Sequence, residues 1–135
     1  MTRETTQKVG DMPDVRDPRV RAIVLMAPNT APFTDHALAQ VAVPVRVYGA
    51  ERHDLTLVRH HAERLANALP PQTEYVLVKG AGHFSFVTSF PGGLKLLAGE
   101  AGRDAAGFDR GAMHEALNAE IVVFFDRKLP SGQTR

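Results

Sequence analysis

The chain is 135 residues long, 44% apolar and 23% charged, a balance that suits one folded domain and excludes wholesale disorder. Sixteen Lys and Arg oppose 15 Asp and Glu for a formal charge of +1, whereas a dedicated nucleic-acid or anionic-membrane binder would carry a basic excess. The absence of Cys excludes disulfides, thiolate zinc sites and a Cys nucleophile, and no apolar run approaches the roughly 20 residues of a membrane span.

Residues 1–16 hold no apolar period and read as a flexible lead-in; no signal peptide is visible there, which makes the cytoplasm the default location. A continuous apolar run then extends from Arg21 to Ala27 and stops at Pro28-Asn29. Its shortness and its Ile and Val predict a strand buried on both faces, as in a parallel sheet. A long connection follows, with a short helix expected in DHALAQV. Pro44 opens the second predicted strand, Val45 to Ala50, which leads into a polar loop from Glu51 to Thr56.

Val58, Ala62, Leu65 and Leu69 fall at helical spacing, with Arg59, Glu63 and Arg64 predicted to face away, and Pro70-Pro71 ends the pattern. The third predicted strand is Glu74 to Gly80, followed by the loop AGHF. Residues 87–108 are Gly-rich and irregular, with one helical turn expected at Leu94 to Ala98. Asp109 is placed to cap a final helix with a stripe of Met113, Leu117, Ile121 and Phe124. Residues 131–135 form a polar tail.

Strand and helix alternate, which implies parallel strands joined by right-handed crossovers. The fold class is α/β, with about three parallel strands and flanking helices. Three strands make a thin sheet, and the first reads as central, without the charge, Pro or bulge that usually protects an edge.

In open parallel sheets, functional groups collect at the carboxyl ends of strands. Two loops lie there: GAERHDLT at 49–56 and KGAGHFSF at 79–86. An acid and then a His, each just past a strand end, form the latter part of a Ser…Asp…His order. A Ser hydroxyl needs a base to take its proton, and a neutral imidazole can do so near pH 7. A carboxylate holds the ring in the correct tautomer and stabilises the imidazolium that forms.

Four stretches, DPRVRAIVLMAPN, VPVRVYGAERHDLT, LPPQTEYVLVKGAGHFSFV and GFDRGAMHEALNAEIVVFFDRKLP, resemble the C-terminal part of α/β hydrolases. The resemblance is closest to the predicted dienelactone-hydrolase-like branch and covers residues 17–130; the GAGHF loop and the GFDR-to-FF ending are its most specific pieces. It implies a partial α/β-hydrolase fold and a Ser nucleophile that opens an ester or lactone through an acyl-enzyme. It implies His83 as general base and no cofactor.

The implied acid falls on His53 when the loop is aligned without gaps. A one-residue shift places it on Asp54, the favoured candidate, and Glu51 is the poorer one. The family's G-x-S-x-G elbow is absent: the serines are Ser85, Ser89 and Ser131, and none stands in that motif. Residues that supply the oxyanion hole are missing with it. The chain therefore reads as the acid-and-base segment of a hydrolase, inactive alone, as a truncated reading frame or a fragment would be. Its expected partners are a small ester or lactone once the missing half is supplied, with no nucleic acid and no membrane. The alternative is a non-catalytic module that associates through its exposed edge strand, with its own copy as one such partner.

Each singled-out residue also has a plain structural role. His83 could be a packed loop residue, and Asp54 could cap the following helix. His53, His60 and His61 invite a metal, but His60 and His61 are adjacent and would point about 100° apart on a helix. His114 lies beside the apolar stripe and reads as a packed or capped side chain. Arg110, in GFDR, reads as one partner of a local surface pair worth little energetically.

Overall fold

The computed structural model describes residues 16–52, 61–95 and 97–129. Its strands are β1 (Ile23–Met26), β2 (Val45–Ala50) and β3 (Glu74–Val78). They pair in parallel in the order β1-β2-β3, with Ile23 opposite Val45 and Arg46 opposite Glu74. The helices are α1 (Asp35–Ala39), α2 (Ala62–Ala68), α3 (Gly92–Lys95) and α4 (Arg110–Lys128). This is a three-stranded parallel sheet flanked by helices, a partial α/β fold.

Strand alternation sorts β2 between two faces. Val45 and Val47 point to one side and are almost fully buried. There they meet Leu38 of α1 and Ala62, Leu65 and Leu69 in and after α2, with Ile23, Leu25 and Tyr75 packed alongside. The helical spacing seen in the sequence is thus a core stripe for Ala62, Leu65 and Leu69; Val58 and Arg59 lie outside the described residues. Arg64 does not simply face away, as expected. Its guanidinium donates to the carbonyl of Phe33 at 2.9 Å and to Asp35 at 2.7 Å, tying α2 to the connection that precedes α1. In the same connection the buried Thr30 donates its backbone N–H to Nδ1 of His61 at 3.2 Å.

The other face carries Arg46 and Tyr48, and α4 lies over it. Arg46 and the Tyr48 hydroxyl both donate to Glu120 of α4. Glu74 accepts from Arg46 at 2.6 Å and from Arg127 of α4 at 3.1 Å. Burial pushes the Glu74 carboxyl up, but the Arg46 hydrogen bond and the Arg127 charge outweigh that and hold it below its ordinary value. A depressed carboxyl stabilises the fold above its unfolded value of 4.5, and that stability is lost as pH falls through the lower folded value. We therefore expect Glu74→Gln to flatten the fall in thermal midpoint below pH 4.5, measured by circular dichroism. A wild-type acid slope in the variant would contradict this assignment.

β1 is the exposed edge strand that a three-stranded sheet implies, but it is not buried on both faces as its apolar run predicts. It is terminal in the sheet order and only partly buried, with Met26 43% exposed. Ile23 and Ala27 donate their N–H groups toward β2, so alternation turns those of Val24 and Met26 to the other side. Residue type alone makes the apolar run look doubly covered, because Ile and Val suit a strand on either footing. Among the described residues no strand pairs with its outer edge. Ala27 ends β1 early by adopting a left-handed backbone, φ 44°. In the Gly-rich region the expected turn at Leu94 to Ala98 begins at Gly92 instead.

One polar atom in the core lacks a partner among the described residues, the hydroxyl of Tyr75. Burial, with the Glu63 charge added, pushes it above the ordinary phenol value, so it stays protonated. Such a group costs about 1–3 kcal/mol against one that is satisfied. Tyr75→Phe should therefore raise stability by about 1 kcal/mol in urea unfolding. Gly49 is the reason the ring fits: a Cβ there would stand 2.6 Å from the Tyr75 hydroxyl. Gly49→Ala should destabilise the wild type more than it does the Tyr75→Phe background, and equal penalties would refute the contact.

Candidate functional site

The carboxyl ends of the three strands meet in a cluster of small residues, Ala27, Ala50 and Ala81, with Phe86 and Phe108 packed on it. Small side chains let the strand-end loops approach one another closely. Backbone pairing of β2 with β3 continues past the sheet: Glu51 N–H donates to the Val78 carbonyl at 3.2 Å and Arg52 N–H to that of Ala81 at 2.9 Å. Gly80 donates its N–H to the Glu51 carboxylate at 2.9 Å. The two loops singled out in the sequence therefore run side by side. Gly80 sits at φ 74°, and a Cβ there would meet the Phe108 ring at 3.1 Å, so no other residue fits without strain.

Beyond Gly82 the chain makes a single 3-10 turn, His83–Phe86. His83, its first residue, is half-buried, and its ring meets Phe84 edge-on at 5.1 Å. It borders a cavity of about 340 Å³, along with Arg52, Ser85, Glu100, Arg103 and Asp104. The structure thus sets His83 just past a strand end, with Arg52 from the 49–56 loop on the same cavity. Asp54 and His53, the two leading candidates for the acid, lie outside the described residues, as does His60. Glu51, the third candidate, spends its carboxylate on the Gly80 N–H and acts as a strut between the loops.

Ser85 is buried, and its hydroxyl is hydrogen-bonded on both sides. It is 2% exposed and stands on the 3-10 turn, away from any strand-turn-helix elbow. Its Oγ accepts from the Gly82 N–H at 3.0 Å and donates to Asp104 at 2.9 Å. That carboxylate also receives Arg110, through Nε and Nη2 at 2.9 Å each. The hydroxyl therefore links the turn to an ion pair between two distant parts of the chain.

Arg110 corrects the surface-pair expectation. It is 7% exposed, and its Asp104 partner has a side chain 13% exposed. It also reaches the carbonyls of Val87 and Arg103 at 3.4 Å. The pair is interior because the start of α4 packs against the His83 turn. One sequence signal was available. A cation at the first position of a helix opposes the positive end of the helix dipole and needs an anion close by. Asp109 does not meet that need, since its side chain accepts from the Ala112 N–H at 2.9 Å and caps the helix as predicted. His114, one turn further along, donates from Nε2 to the Ser85 carbonyl at 2.8 Å, the packed role expected of it.

Among the described residues no group of His, Asp and Glu is placed to hold a metal ion, and no helix is long and apolar enough to cross a membrane. Compared with family models, with curated proteins and with solved structures, the chain matches none.

Proposed function

We propose that this chain is the base-bearing segment of an α/β-hydrolase-type enzyme that opens esters or lactones. In this reading His83 is the general base and Asp54 orients it, and a segment outside this sequence supplies the Ser nucleophile. The imidazole takes the hydroxyl proton as the Ser attacks the carbonyl, then returns it to the leaving oxygen. The carboxylate stabilises the imidazolium between those events. The observation that carries the reading is the position of His83: on a braced turn at the end of a parallel strand, at the edge of a cavity, with the acid loop hydrogen-bonded alongside.

The test is turnover of p-nitrophenyl esters. The chain alone should give none, and a fluorophosphonate probe should leave Ser85 unlabelled. The DNA preceding the Met1 codon should encode a G-x-S-x-G segment, and adding that segment should produce turnover that His83→Ala abolishes. Turnover by the chain alone that His83→Ala removes would overturn the two-segment reading. Lack of any G-x-S-x-G upstream would do the same.

The position of β1 favours a second reading, a module that pairs edge to edge with a second copy. The N–H groups of Val24 and Met26 face away from β2, and Met26 is exposed. Light scattering would then find a dimer. Val24→Pro, which removes an outward-facing N–H and none of those paired with β2, would dissociate it. A wild-type monomer at high concentration rejects this reading.

A further inference from the structure

We propose that Asp104 and Arg110 are positioning residues for His83, acting through Ser85 on the turn that carries the imidazole. The inference rests on the reading of His83 as a base, and it assigns the parts that would hold that base in place. Every polar group of Ser85 is engaged. Its N–H donates to the Gly82 carbonyl at 3.1 Å, and its carbonyl accepts from His114 at 2.8 Å. Its Oγ bridges the Gly82 N–H and Asp104. Gly82 and Ser85 bracket His83 in the chain, so the bracket fixes the backbone from which the imidazole projects.

Asp104 reaches this bracket from a distant part of the chain and is itself held by a charge. Arg110 grips it with two of its nitrogens and extends to the Val87 carbonyl at the end of the turn and to the Arg103 carbonyl on the cavity wall. The start of α4 therefore holds both the His83 turn and the Arg103 segment that lines the same cavity. A side chain whose rotamer must suit proton transfer needs this kind of support, because a base is useful only within hydrogen-bond reach of its proton.

The experiment reads the imidazole itself. Proton–carbon correlation spectra of the six His rings are recorded for the full chain, with the His83 signals identified by their loss in His83→Gln. In the wild type His83 should give one sharp set of signals and side-chain couplings of a single rotamer. In Ser85→Ala and Asp104→Asn the couplings should average over rotamers and the lines should broaden, well below the unfolding temperature. Leu65→Ala, a destabilising change in the core on the opposite sheet face, should leave them unchanged. Should Asp104→Asn fail to fold, Ser85→Ala decides, since it leaves the Asp104–Arg110 pair intact. A His83 rotamer and linewidth unchanged in Ser85→Ala would overturn the proposal while leaving the base reading standing. Failure of the ester test would do the reverse.

Discussion

Arg110→Met is expected to destabilise the fold by about 3–5 kcal/mol, the usual cost of leaving one member of a buried ion pair alone. The physical cause is the carboxylate left behind. Asp104 is 13% exposed, and the neutral Ser85 hydroxyl cannot replace a guanidinium that binds it through two nitrogens. Folded domains are stable by about 5–15 kcal/mol, so the variant stands near the threshold of folding. Arg110→Lys should recover only part of the loss, because an ammonium cannot reproduce the fork or reach the Val87 and Arg103 carbonyls together. The double change Asp104→Leu with Arg110→Met should cost much less than the single one, since no charge is then stranded. Urea unfolding of the wild type, Arg110→Met, Asp104→Leu and the double variant gives the cycle, and additive penalties would show that the two side chains do not form an interior pair.

Phe124→Ala should cost about 3–5 kcal/mol as well, as large aromatic truncations in cores do. Phe124 is 0% exposed, the most deeply buried side chain of α4, and its ring stands edge-on to Phe125 at 5.4 Å. With Arg110 and Leu117 it forms a buried line of seven-residue spacing along one side of the helix. Val123 is 54% exposed, and Val123→Ala should stay within about 0.5 kcal/mol of wild type. A comparable loss from both would mean that the helix presents a different side to the sheet. The two large predictions are also separable in space. Arg110 sits at the start of α4 against the His83 turn, whereas Phe124 sits near its far end, between Glu120 and Arg127 in the chain. The His83 signals should therefore respond to the first and not to the second.

Functional placement follows from this division of α4. Its far half is fastened to the sheet by Glu120 on Arg46 and Tyr48, and by Arg127 on Glu74. Its first turns reach the site, with His114 on the Ser85 carbonyl and Arg110 on Asp104. Anchoring one end to a rigid sheet makes the other end a stable platform, which a loop alone would not provide.

Much of the architecture was legible along the chain. β-branched runs after a Pro marked β2 with both of its ends, and Asp109 announced α4 by its capping carboxylate. The stripe Met113, Leu117, Ile121, Phe124 marked the side of α4 that packs. These are local effects, decided by strand and helix periodicity and by one unsatisfied N–H at a helix start. The placement of His83 after a strand was legible for the same reason, since it depends only on where β3 stops.

What the chain order could not reveal lies between segments without a period. Ser85, Asp104 and Arg110 are separated by irregular Gly-rich sequence, and although a cation at a helix start calls for an anion, nothing in the chain order says which one. Its partner is chosen by where α4 crosses the sheet. The half-exposed state of β1 is likewise a property of neighbours, because an apolar strand has the same composition whether or not another strand lies beside it. Local periodicity, set by the backbone's own geometry, determined the elements and the position of the imidazole. Burial, set by which elements come to lie against each other, decided which charges paired in the interior and which hydroxyl was enclosed with them.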